Sequence, residues 1–193
     1  MATKRPLREH DISYPPARGP VLLLTCMDLR VLDEIADFMA HDNLSNRYDH
    51  VVFAGAALGV LKGCSRPVDD PEGEGRSHWK DVFFTHLEAA IKLHDIEDVY
   101  ILEHRHCGAY HKVFEVCRDF GDTEEDLIEE ADCHHKYAAK LRKEIIAWGK
   151  THGHPLSVRL FLMDLRGKVS QLESSNAGKK AKKPKQGGKK AKG

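Results

Sequence analysis

No stretch of the 193-residue chain stays apolar for the roughly 18 residues that a membrane-spanning helix needs. The segment Met1 to Pro20 has charges and prolines but no apolar core, so no secretory leader is expected there. Cysteine is sparse and odd in number, at five, which speaks against a disulfide framework and for a reducing compartment. Cys64, Cys117 and Cys133 accordingly read as free thiols, and the protein reads as cytoplasmic. Aromatic residues make up 7% and are not interleaved with basic ones before residue 174, which weighs against a folded nucleic-acid-binding surface. What remains is ordinary for a single soluble domain: 41% hydrophobic and 31% charged residues.

The net charge is zero, but it is unevenly placed. Ser174 to Gly193 holds eight lysines and no acid, so the preceding 173 residues carry −8. That end has no large apolar side chain and cannot offset its own ordering entropy. The chain therefore divides into an N-terminal arm over 1–20, a domain over 21–168 and a disordered lysine-rich tail over 169–193.

Strand and helix patterns alternate along the domain. Val21 to Thr25 is a continuous apolar run, as in a strand buried on both faces. Val31, Leu32, Ile35, Phe38 and Met39 are spaced for one helix face. His50 to Phe53 reads as a second strand, Lys62 to Ser77 as a loop, and His78 to His94 as a helix. Val99 to Leu102 is a third strand, with a short helix expected between Gly108 and Gly121. Leu127, Ala131, His134, Ala138, Leu141, Ile145 and Trp148 form the stripe of a long amphipathic helix that starts at Thr123-Glu124-Glu125-Asp126. Ser157 to Leu165 is a last strand, with Val158, Leu160 and Leu162 on one face and Arg159, Phe161 and Met163 on the other. This is the pattern of an α/β fold: an open, mainly parallel sheet with flanking helices, with room for an antiparallel edge.

Two short segments carry the chemistry. Cys26-Met27-Asp28-Leu29-Arg30 closes the first strand, and His104-Arg105-His106-Cys107-Gly108 closes the third. In an open α/β sheet ligands bind beyond the carboxyl ends of the strands, where strand order reverses. With strand two on the far side of strand one, Cys26, His104 and Cys107 converge at that crevice. Two thiols and an imidazole suit one zinc ion, Zn²⁺, and three protein ligands leave a fourth position open, as in catalytic sites. Such a zinc makes hydroxide available near neutral pH. Asp28 and Arg30 can face the same crevice, with Arg30 holding the carboxylate in a bidentate fork so that Asp28 orients the nucleophile. Asp28 could instead take the fourth position and shut the site. His106 stands as an alternative ligand to His104, and Asp28–Arg30 as a plain structural ion pair. His134 reads as packed or interfacial. Met163-Asp164-Leu165-Arg166 repeats Met27-Asp28-Leu29-Arg30 but has no preceding cysteine and is no second site.

The pair C-x-D-x-R and H-x-x-C-G, with a strand–loop–helix segment between, resembles the beta class of carbonic anhydrases over Val21 to Val113. A weaker likeness reaches Met163-Asp164-Leu165-Arg166-Gly167-Lys168. The resemblance implies Cys26, His104 and Cys107 as zinc ligands and Asp28–Arg30 as a catalytic dyad. It also implies a homodimer or larger homo-oligomer with sites near the subunit interface. The chain departs from that pattern at Phe53, Glu103 and Arg105, which are expected to alter the pocket wall and its charge.

The function this implies is the reversible hydration of carbon dioxide to bicarbonate by a zinc-bound hydroxide. One alternative is hydrolysis of carbonyl sulfide or carbon disulfide on the same site. Another is a non-catalytic zinc protein that binds a polyanion or an acidic protein through its lysine tail. Attraction through the tail would be screened over about 8 Å at physiological ionic strength. A chain ending at Glu173 should keep its zinc and turnover and lose any salt-sensitive association. Loss of turnover at unchanged zinc content would place the tail in the site or in its folding.

Overall fold

β1, Val21–Cys26, is buried at every position, as its unbroken apolar run predicts. It lies between two parallel neighbours, β2 (Tyr48–Phe53) and β3 (Asp98–His104). β3 pairs in parallel with β4, Ser157–Met163, and the short β5, Val169–Gln171, closes the sheet antiparallel to β4. The order β2-β1-β3-β4-β5 reverses direction between β1 and β3. The structure, a computed structural model, describes residues 10, 14–63 and 79–173. Cys64, nearly all of the expected 62–77 loop and the lysine run from residue 174 lie outside the described residues. No helix among the described residues is long and apolar enough to cross a membrane.

Alternation along the strands builds two cores. Val21, Leu23, Tyr100, Leu102, Phe161 and Met163 face α1, Leu32–His41, and pack on Ile35, Phe38 and Met39. Leu32, expected on that face, is exposed. Leu22, Leu24, Val99, Ile101, Leu160 and Leu162 face the other way. They are covered by α2 (Ala57–Lys62), α3 (Trp79–His94) and α4 (Glu124–Thr151). α4 begins with a capping box, Thr123 and Asp126 each bonding the other's backbone N–H. Its stripe of His134, Tyr137, Ala138, Leu141 and Ile145 is buried within the chain.

Two expected boundaries shift. The domain does not stop at residue 168, because β5 pairs with β4 and Leu172 is buried against the core. The N-terminal arm is tied down at its end: Tyr14 packs on Tyr100 and Phe161. Arg18 donates through its backbone N–H and Nε to the buried Asp98. The helix expected after Gly108 is a single π-turn, Ala109–Val113. Cys117 and Cys133, expected as free thiols, are joined in a disulfide that ties the segment after this turn to α4.

Candidate metal centre

The register places the two motif segments side by side. Thr25 pairs with Leu102, so β1 and β3 leave the sheet at the same edge, one ending on Cys26 and the other on His104. Among the described residues, Cys26, His104 and Cys107 form a group of metal-ligating side chains, all buried, with ligand atoms within 4.8 Å of one another. Two sulfurs held about 2.3 Å from one tetrahedral zinc would lie about 3.8 Å apart. The Sγ atoms of Cys26 and Cys107 are 3.7 Å apart.

The imidazole is set for the same task. Nδ1 of His104 donates to the carbonyl of Arg105 at 2.9 Å, which puts the ring proton there. In the neutral ring Nε2 then carries the lone pair; it is buried and meets no partner in hydrogen-bond geometry among the described residues, and against the opposing effect of burial the Cys26 sulfur raises the ring's pKa. A buried unsatisfied nitrogen beside two thiols fits a metal ligand. The thiols are unlike each other. Cys107, by donating its S–H, pulls the Cys26 thiol well below its usual range against the opposing effect of burial. The N–H of Gly55 adds to this, 3.2 Å from Cys26 Sγ. Cys107, as donor to a thiolate and buried, is pushed up.

Asp28 sits just outside this group, its Oδ2 3.8 Å from His104 Nε2. Arg30 clasps it in a fork, Nε to Oδ1 at 2.9 Å and Nη2 to Oδ2 at 2.6 Å. Hydrogen bonds from the Arg30 guanidinium, more than any other contact, lower the Asp28 carboxyl to about 2, so it is ionised at neutral pH. Nη2 of Arg30 also reaches the carbonyl of His106, at 2.9 Å. His106 itself is turned away: its Nε2 faces Asp122 at 3.3 Å, and it is not part of the buried group.

No family model matches the chain. It is 30% identical to an uncharacterized protein of Rickettsia bellii over 151 residues, 78% of this chain and 80% of that one. It is 28% identical to an uncharacterized protein of Rickettsia conorii over 151 residues, 78% of this chain and 70% of that one. The chain belongs to one family with the Rickettsia bellii protein. A variant of the beta-carbonic anhydrase CafD of Aspergillus fumigatus shares its architecture at 14% identity and a TM-score of 0.50, over 84% of this chain and 95% of that one. The fold is that of the beta-carbonic anhydrases.

Within this beta-carbonic-anhydrase fold Glu103 and Arg105, two of the three departing residues, also bind other elements of the chain. Glu103 is fully buried, and after the Cys26 hydrogen bond and burial its charge adds to what pushes the Cys107 thiol up. Its Oε1 accepts the Ala57 N–H at the start of α2, and its Oε2 accepts from Nδ1 of His134 at 3.1 Å. Arg105 spends its guanidinium on α4 and the residues before it: Nε on Glu130, Nη1 on Asp122 and Nη2 on the carbonyl of Gly121. Gly55 adopts a φ of +74°, open to glycine, and a Cβ there would meet Ala109 Cβ at 3.1 Å. Glu103 stood out in the sequence only as a departure from the family pattern, while the Gly55 cradle and the burial of Glu130 did not stand out. Glu130 did leave a trace: it lies four residues before His134, an acid on the apolar side of α4.

If this group holds zinc, Cys107→Ser should strip most of it from the purified protein while leaving the sheet intact. Elemental analysis alongside circular dichroism checks this; full zinc retention removes Cys107 from the ligand set.

Proposed function

We propose that this protein is a zinc enzyme, held by Cys26, His104 and Cys107, that reversibly hydrates carbon dioxide to bicarbonate. The observation that carries this reading is the buried, unpartnered Nε2 of His104 between two thiols, with a clasped carboxylate 3.8 Å away. A zinc ion bound there would act as a Lewis acid and bring the ionisation of a coordinated water down to about pH 7.

The chain's own residues supply orientation. An ionised Asp28 is acceptor-only, so a hydroxyl beside it must point its proton at the carboxylate and its lone pair elsewhere. Arg30 fixes that carboxylate in the plane of its fork and keeps it from swinging inward. Carbon dioxide is neutral and small, and its hydration consumes one water and yields bicarbonate and one proton. That proton can leave to buffer, because Arg30 and the segment around it are open to solvent. Cys26 and Cys107 are free thiols, as metal ligands must be; the cytoplasm is the compartment we propose, although the Cys117–Cys133 disulfide does not itself argue for a reducing one.

Asp28→Asn should keep its zinc and lose about 10²–10⁴-fold in turnover, the usual reach of a positioned acid–base group. Arg30→Ala should follow it in direction. Stopped-flow hydration of carbon dioxide by metal-quantified protein, with carbonyl sulfide hydrolysis measured in parallel, decides the substrate. Parent-rate hydration by Asp28→Asn would falsify the role of the dyad.

A homodimer is part of the same proposal. Most of the α4 stripe, from His134 to Ile145, is consumed within the chain, while Leu127 at its start is exposed. Support comes instead from Met27, Leu29 and Leu32, which are apolar, exposed and adjacent to the site, and from β2, which lies at an edge of the sheet. Light scattering should give about twice 21.8 kDa at micromolar concentration. A single-chain mass would leave those residues unexplained.

A further inference from the structure

The turn between His104 and Cys107 must aim two ligands at one point, and its backbone is tied at five places. The N–H of Arg105 continues the sheet to the carbonyl of Met163, at 2.8 Å. The carbonyl of Arg105 holds the His104 ring. The carbonyl of Cys107 accepts from the N–H of Tyr110, at 3.0 Å. The peptide groups of His106 differ, because charged side chains from other elements hold them. Its carbonyl accepts from Arg30, and its N–H donates to Oε1 of Glu130 on α4.

His106 needs this support. Its φ of 54° is left-handed, an uncommon conformation for a residue with a Cβ, and no glycine relieves it. Glu130 is 1% exposed, on the second turn of a 28-residue helix that packs on the sheet. Its other oxygen is fixed by Nε of Arg105 at 2.8 Å. Arg105 belongs to the loop itself, so both oxygens of Glu130 grip the loop, and it is the burial of Glu130 on α4 that fixes where they hold it.

We propose that Glu130 is the positioning residue of the metal loop: by holding the His106 N–H from α4, it sets the turn that points His104 and Cys107 at the same ion. This rests on the metal role proposed above for those two residues. Arg30 grips the other side of the same residue, so the loop that carries two ligands and the fork that orients Asp28 share one anchor. Glu130 touches neither the ligand atoms nor the substrate; it acts through the main chain.

The test uses the full chain and zinc itself, titrated against a chromogenic chelator, with cobalt(II) absorption as a second readout of ligand geometry. Glu130→Ala should bind zinc about 10–100-fold more weakly, the usual effect of losing a group that orients ligands from behind. Its cobalt thiolate bands should shift or weaken. Glu130→Gln should fall between it and the parent, because its amide oxygen can still accept the His106 N–H while its amide nitrogen faces Arg105. That variant also keeps the test alive if Glu130→Ala fails to fold. Asp122→Asn removes an exposed partner of Arg105 and should leave zinc affinity within about twofold. Parent-like zinc affinity and cobalt spectrum in Glu130→Gln and in folded Glu130→Ala, while Cys107→Ser loses its metal, overturns the positioning role alone. Absence of specific zinc binding in the parent overturns it together with the metal reading beneath it.

Discussion

Parallel pairing of β1 with β3 is the constraint from which the site follows. The two strands are 77 residues apart, Val21 against Asp98, yet their register brings Cys26 and His104 to the same end of the sheet. The parallel arrangement forces the intervening chain to cross over and come back, which is why β2, α2 and α3 lie between the half-motifs. It also leaves the crevice at the reversal of strand order uncovered by sheet. A one-residue slip in the β1–β3 register would send alternate side chains to the opposite core, mixing the face that packs on α1 with the face that packs on α4. The near-continuous burial of both strands fixes the register, and the register fixes the ligand distances.

Around that crevice the chain keeps two buried carboxylates, and neither is idle. An acid out of water carries a penalty of several kcal/mol unless its lone pairs are met. Glu103 meets His134 and the first N–H of α2; Glu130 meets Arg105 and the N–H of His106. Removing one partner of such a pair typically costs about 3–5 kcal/mol, because the other charge is left stranded. Both acids therefore join elements that hydrophobic packing alone would leave free to slide. Glu103 links β3 to α2 and α4, and Glu130 links α4 to the metal loop. The departures at Glu103 and Arg105 thus form a support beneath the site, bonded to α2, α4 and the residues before α4.

Much of this was legible from the residues. The burial of β1 on both faces, the alternation in β4 and most of the stripe on α4 follow from periodicity and from the ends of the apolar runs, whereas the reversal of strand order depended on where β2 lies, which the structure supplies. The meeting of Cys26, His104 and Cys107 follows from two strand ends and the position of β2. What stayed hidden has a common physical cause: structure set by a tertiary partner. α2 has six residues, too few to show a period or to be stable alone, and its first turn is held by Glu103 from another element. β5 has three residues and exists by pairing with β4. The π-turn after Gly108 and the Cys117–Cys133 link depend on how that segment lies on α4. The metal-loop anchor was invisible because a backbone N–H has no letter in the sequence; only its acceptor, Glu130, does.

The Asp28–Arg30 pair shows how to separate stability from geometry. Arg30 is nearly half exposed, and solvent-facing ion pairs contribute only about 0–1 kcal/mol to folding. Stability is therefore a weak reason for this arrangement. Geometry is a stronger one: the fork fixes both carboxylate oxygens, and the same guanidinium holds the carbonyl of His106. A lysine could supply the charge but not three directed bonds in one plane. The arginine thus couples the orientation of Asp28 to the backbone turn that carries two of the three candidate ligands. Displacement of that turn would move the carboxylate as well as the ligands, so the oxygen acceptor and the metal-binding atoms keep their relative positions through a single side chain.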